Sequence, residues 1–224
     1  MSDRLAQPLL NLSLMLIFKK FNNHIHNLLS SCLYCHQLNV KQRVLCQYCW
    51  HVISNYVGRN QWVIQGIQFH ALIDWKAQKS DIVSALALNL KENKNHKQWK
   101  YLAWQLLKYN TQIQITANTV IVPSPAKKNN SEDHAFLLAQ AICELTNLPM
   151  KNILERPNSK ISQKEKSKLN RQHTKLNNTE NNSNLNDVIF IDDIVTTGST
   201  AFAAYQALHN PQYYQVVSLI HRTI

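Results

Sequence analysis

The segment Val188–Thr200, VIFIDDIVTTGST, constrains this 224-residue chain more than any other. Four consecutive apolar residues, Val188–Ile191, read as a strand with no polar face. Such a strand must be covered on both sides, as in a parallel sheet with helices on each face. Asp192 and Asp193 end it, a turn of hydroxyls and one glycine follows, and a helical pattern starts at residue 200. Backbone N–H groups of the Thr196–Thr200 turn can converge on a phosphate. Gly198 lets the chain approach without a Cβ. The helix presents its positive N-terminal end to the same anion. Hydroxyls of Thr196, Thr197, Ser199 and Thr200 add donors. Asp192 and Asp193 lie where vicinal ribose hydroxyls would sit, with room for a hydrated Mg²⁺. Ligands of open α/β sheets bind at the C-terminal ends of strands, which is where this segment places them. A Walker loop needs a GxxxxGK run and a dinucleotide fingerprint three glycines, so neither fits.

The rest of the chain supports an α/β reading. Helical spacing predicts helices over 80–93, 97–109, 132–146 and 200–209. Residues 62–75 read as a strand pair or hairpin, and 119–122 and 215–221 as buried strands. Residues 1–31 read as an N-terminal amphipathic helix. Residues 52–224 form the main domain. Within it, 157–187 is polar, nearly free of large apolar side chains, and predicts a flexible loop outside the core.

Four of the five cysteines form two CxxC pairs, Cys32/Cys35 and Cys46/Cys49, ten residues apart. Two such turns can place four thiolates at the corners of a tetrahedron around one zinc ion. A segment as short as 32–51 has little core, so the metal would supply much of its folding free energy. An iron–sulfur cluster is the alternative; disulfides do not suit a reducing cytoplasm. His36 and His51 flank the site without being needed. Cys143 reads as core.

The formal charge is +11, and the excess sits before residue 130, with 15 Lys/Arg against 4 Asp/Glu. Such asymmetry fits an anionic partner. Tyr34, Tyr48, Trp50, Trp62, Trp75, Trp99, Tyr101 and Trp104 lie among those charges, where aromatic faces could stack the bases of single-stranded DNA. The longest apolar run, Leu9–Phe18, is too short to span a bilayer and lacks a cleavage site. The chain reads as cytoplasmic, with attachment to the inner membrane through residues 5–30 as the alternative to a core role for that helix.

VIFIDDIVTTGST resembles the phosphoribosyl pyrophosphate motif of the type I phosphoribosyltransferases. With a four-Cys element ahead of it, the chain is similar to the ComF family, which includes competence-associated and GntX-like proteins. IVPSP (121–125) resembles that family's pyrophosphate-side strand and loop, EDHAFLLAQAI (132–142) its following helix, and ERPNSKISQ (155–163) its basic stretch.

The resemblance implies a type I phosphoribosyltransferase-like parallel sheet flanked by helices. It also implies a structural zinc and a Mg²⁺-dependent site for phosphoribosyl pyrophosphate or a nucleotide. Asp192 and Asp193 would hold ribose and Mg²⁺, and residues 196–200 the 5′-phosphate. Lys91, Ser124, Arg156 and Arg171 would serve the pyrophosphate side or a flap. The implied role is DNA uptake in natural transformation, with single-stranded DNA and uptake-machinery proteins as partners. The alternative is an active transferase that moves phosphoribose to an unidentified base or nucleotide. The family's Arg-Gly-aromatic run is replaced by Asn130, Ser131 and Glu132. Thr196 stands where hypoxanthine phosphoribosyltransferases carry an acid that acts as base, so that role has no owner in the motif.

Overall fold

Ile67–Lys76, Asp187–Val195 and Tyr213–Thr223 are buried along most of their length. Strands of that composition need neighbours and two covered faces. A computed structural model places them at the centre of a five-stranded sheet. It describes residues 30–32, 34–39, 44–76, 81–92, 96–126, 133–157, 175–180 and 185–223. The elements are β1 (Ser30–Ser31), β2 (Leu38–Asn39), α1 (Gln47–Ser54), β3 (Val57–Ile64), β4 (Ile67–Lys76), α2 (Asp81–Glu92) and α3 (His96–Tyr109). Then come β5 (Val120–Pro123), α4 (His134–Thr146), β6 (Leu154–Glu155), β7 (Asn177–Asn178), β8 (Asp187–Val195), α5 (Ser199–Ala207) and β9 (Tyr213–Thr223). The main sheet runs β3-β4-β9-β8-β5. Its last four strands are parallel to their neighbours, and only edge strand β3 is antiparallel. The β3–β4 turn is made by Gln65 and Gly66, both at positive φ, which matches the twist of a tight hairpin.

Two cores cover the sheet. On one face, Leu86, Trp99, Leu106 and Leu138 of α2–α4 pack on Ile121, Ile189, Ile191 and Val217. On the other, Ala201 and Ala204 of α5 pack with Val188, Phe190 and Val216. The strand alternation shifts phase part-way up. Leu72 and Ile73 are consecutive, as are Leu219 and Ile220, yet all four join the α2–α4 core. Beyond that level Val195 belongs to the α5 side. Its β9 neighbour His221 stacks on Trp62, which also packs against the α5-side core.

Three expectations need correction. The strand that opens the key motif does not end at Ile191 but runs through both aspartates to Val195, because β9 goes on pairing with it. The polar stretch 157–187 is not loop throughout: Leu176 is buried in the α5-side core, and Asn177–Asn178 pair with Leu154–Glu155. The four-Cys segment has more core than its length predicts, since Val44 and Leu45 share one core with Ile53, Trp75, Ile82 and Trp99. The expected helix over 1–31, and most of the proposed flap, lie outside the described residues.

Candidate functional site

The C-terminal end of β8, the turn after it and the start of α5 enclose one cleft. Asp192, Val195, Thr196, Gly198, Ser199 and Thr200 line it. Gly198 is the N-cap of α5 and sits at φ 75°, where side chains are strained. A Cβ there would lie 3.0 Å from Cζ of Phe69 and 3.3 Å from its Cε1. Sequence and packing thus both require glycine. The Phe202 N–H donates to the Gly198 carbonyl (3.0 Å), closing the first helical turn. No side chain caps this terminus. The first-turn N–H groups, which have no intrahelical acceptor, are left to the cleft. Thr196 and Thr197 are exposed; Ser199 and Thr200 are half-buried.

The two carboxylates are fixed by the backbone that follows them. Asp193 N–H donates to Asp192 Oδ1 (3.0 Å), and Ile194 N–H donates to Asp193 Oδ1 (2.9 Å). Burial, then the neighbouring Asp193 charge, push the Asp192 carboxyl well above its usual range; the Arg156 charge pulls the other way. Burial also acts to raise Asp193, but the hydrogen bond and charge of His134 outweigh it, and Asp193 ends below its usual value. Two adjacent acids are therefore shifted in opposite directions, as expected where like charges crowd one site.

His134 is the residue that sequence reasoning passed over. Its Nδ1 lies 3.3 Å from Asp193 Oδ2 and 3.4 Å from Asp133 Oδ1. Its ring stacks on Trp99 at 5.9 Å and 15°. Asp133 caps α4 by accepting from the His134 N–H (2.7 Å). The signal was present as an Asp-His pair opening a strongly apolar helix. Tyr214 closes the floor of the α5 start: its hydroxyl donates to the Ala201 carbonyl (2.8 Å). Burial and the Asp192 charge push its phenol well above the usual value.

The other expected residues divide. Ser124 is buried, and its N–H donates to the Ile191 carbonyl (2.8 Å), extending the β5–β8 pairing by one residue. Arg156 Nε donates to the Pro125 carbonyl (3.1 Å), which ties the guanidinium to the same loop. Lys91 lies in the last turn of α2, and Arg171 lies outside the described residues.

The four cysteines form a second constellation. The Sγ atoms of Cys32, Cys35, Cys46 and Cys49 all lie within 4.8 Å of one another. Cys35 and Cys46 Sγ are 3.7 Å apart. Tetrahedral zinc with Zn–S bonds of about 2.3 Å separates its sulfurs by about 3.8 Å. The first pair turns between β1 and β2, with His36 at φ 58° just after Cys35. The second pair opens α1, where Cys46 is the N-cap and its Sγ accepts from the Cys49 N–H (3.4 Å). Burial disfavours the Cys32 thiolate. Backbone N–H groups of Cys35, Cys46 and Tyr34 outweigh that and bring the thiol to about 7. Such N–H donors are what a metal-bound thiolate needs around it. The donor set fits a structural zinc ion held by all four thiolates.

Most of the aromatics of the basic half pack into the fold. Trp99 and Trp75 are buried, Trp62 is sandwiched near Phe69 and His221, and Trp50 meets Tyr101 edge-on. Trp50, Trp62 and Tyr101 are half-buried, with much of their apolar area used in packing. Of the eight aromatics, Tyr34, Tyr48 and Trp104 are exposed. No family model matches this chain, and no curated protein matches it.

Proposed function

We propose that this is a ComF-type protein with a type I phosphoribosyltransferase-like domain. In this reading the cleft binds Mg²⁺–phosphoribosyl pyrophosphate, or a nucleotide 5′-phosphate. One observation carries the reading: the Asp192 carboxylate and an uncapped, glycine-opened helix N-terminus share one cleft at the C-terminal edge of a parallel sheet, with Asp193 the next residue along the strand. The α5 amides and the Ser199 and Thr200 hydroxyls take the 5′-phosphate. Asp192 and Asp193 accept from the ribose hydroxyls, and His134 holds Asp193 in its ionised form. Ser124 and Arg156 stand on the pyrophosphate side. Mg²⁺ supplies charge neutralisation to the pyrophosphate when bound. Calorimetric titration with Mg²⁺–phosphoribosyl pyrophosphate tests this, beside a folded Asp192→Asn, Asp193→Asn variant. Wild-type binding lost in the variant supports it; a wild type that does not bind sinks it.

A second strand of the reading, single-stranded DNA handling for uptake, keeps a smaller surface than the sequence suggested. Exposed Trp104 on α3 has Lys108 Nζ 5.1 Å from its ring centre, and Tyr101 lies 6.3 Å away. Lys97 and Lys100 are exposed on the preceding turns of the same helix. Lysines beside an accessible indole suit backbone phosphates and a stacked base. Trp104→Ala should weaken oligonucleotide binding about 5- to 100-fold, the equivalent of one stacked base. Unchanged affinity, or no binding by wild type at low salt, removes this strand.

A further inference from the structure

The phosphate turn contains no proton acceptor for an incoming nucleophile, because Thr196 is a hydroxyl. A histidine lies beside it on the next strand. His221 of β9 is paired with Val195, the last β8 residue before the turn. Both lie on the α5 side of the sheet, the side on which the turn is built. His221 Nδ1 is 3.0 Å from Asp74 Oδ1, and Asp74 occupies the paired position on β4. The Asp74 N–H donates to the Tyr56 carbonyl (3.0 Å), so the backbone carrying the carboxylate is itself anchored.

The geometry fixes ring and tautomer together. Trp62 stacks on the imidazole at 3.8 Å and 24°, and Trp62 stacks in turn on Phe69 at 5.4 Å. Phe69 is the ring that presses on Gly198. A continuous row of rings therefore runs from the phosphate turn to His221. The Asp74 carboxylate accepts a hydrogen bond from Nδ1–H in the neutral tautomer, which leaves the lone pair on Nε2. Among the described residues no hydrogen bond reaches Nε2. The His221 side chain is only 15% exposed, while Asp74 is 44% exposed.

We infer that the Asp74–His221 pair is the acid–base group of this site, serving an acceptor with a ring N–H. The inference rests on the phosphoribosyl reading above. In the step, the acceptor's N–H proton passes to His221 Nε2 and its nitrogen forms the bond to C1′ of the sugar. The C1′–oxygen bond to pyrophosphate breaks, and that electron pair leaves with the pyrophosphate. Asp74 is the positioning residue: it keeps Nδ1 protonated and steadies the imidazolium that forms.

The test measures pyrophosphate release from Mg²⁺–phosphoribosyl pyrophosphate with adenine, guanine, hypoxanthine, uracil or orotate as the added base. Calorimetry of phosphoribosyl pyrophosphate binding runs in parallel. His221→Ala should lose about 100-fold or more of the release rate, the usual scale for a general base. Its affinity for phosphoribosyl pyrophosphate should stay within about twofold, since the charge-bearing groups of the turn are untouched. Added imidazole should restore part of the rate in His221→Ala, which loss of packing alone would not allow. Asp74→Asn, a milder change at a half-exposed site, should lower the rate with the affinity kept. Release by His221→Ala at the wild-type rate overturns the inference. So does a loss of rate that imidazole does not restore, or a wild type that binds phosphoribosyl pyrophosphate yet releases nothing with any base. A wild type that does not bind phosphoribosyl pyrophosphate overturns the site reading itself, and this inference with it.

Discussion

The four-Cys corner and the phosphate turn each sit at the start of a helix, and they finish that start in opposite ways. At α1 the N-cap is Cys46, whose sulfur accepts from the Cys49 N–H. Thiols close over the helix end, and three of the four are buried. At α5 the N-cap is Gly198, which has no side chain to offer, and the amides stay open to the cleft. An uncapped N-terminus forgoes about 1 kcal/mol relative to a Ser or Asp cap. A chain that spends its scarce glycine there keeps donors free for an external anion. The first helix end is completed from within; the second has no side-chain cap, as the proposed phosphate site requires.

The largest effect that would sharpen this contrast is loss of the metal corner. Zinc binding is worth about 10–16 kcal/mol in isolated zinc-finger peptides. Here the corner shares its core with Trp75, Ile82 and Trp99, so its collapse reaches the sheet's helical face. Cys49→Ser, or prolonged chelation of wild type, should abolish stoichiometric zinc and lower Tm by more than about 10 °C, since 1 kcal/mol corresponds to about 2–4 °C at this size. Metal analysis with thermal unfolding checks it. A variant that loses zinc but keeps its Tm would break the comparison, because the corner would then be dispensable to the fold. A visible absorption band with iron in place of zinc would change the metal while leaving the contrast intact.

Gly198→Ala comes next. It combines positive-φ strain of about 1–2 kcal/mol with a Cβ only 3.0 Å from Phe69. Tm should fall by about 2–8 °C on the same scale. Phosphate-ligand affinity should fall as well, because the turn must shift to seat the methyl group. Retained affinity at lowered Tm would mean that glycine serves packing alone.

The two sites were unequally legible in the sequence, for a physical reason. CxxC spacing fixes four ligands within local turns, so the corner could be named residue by residue. The phosphate turn was equally local, one strand end and one helix start. His134, Asp74 and His221 come from α4, β4 and β9, and only helix packing and strand pairing bring His134 to Asp193, Asp74 to His221 and His221 to Val195. Nothing in local spacing encodes that. The mostly parallel sheet followed from apolar strands that could not face water. The phase shift at Leu72–Ile73 and Leu219–Ile220 did not, because a fully apolar strand carries no alternation to read. Which aromatics of the basic half stay exposed was not legible for a related reason: composition says nothing about which side of an element is covered.

The smallest expected effect separates the two neighbouring aspartates. Asp192 carries a carboxyl raised by burial and by Asp193. The unfolded chain then gives up that proton more readily, so Asp192 costs stability as pH rises from its usual value of 3.8 toward its raised folded value. Asp193, lowered by His134 against its burial, works with the opposite sign. Its contribution is present above 3.8 and is lost as pH falls through its lower folded value. Near neutral pH, Asp192→Asn should therefore raise Tm while Asp193→Asn lowers it, each by a few degrees at most. The gain from Asp192→Asn should vanish once the pH is brought below 3.8. Tm measured against pH for wild type and both single variants gives the signs directly. A stabilising Asp192→Asn that also loses Mg²⁺–phosphoribosyl pyrophosphate would show a carboxylate kept at the expense of the fold. Two destabilising substitutions would instead make the pair structural, and the phosphate turn would then be finished from within like the four-Cys corner.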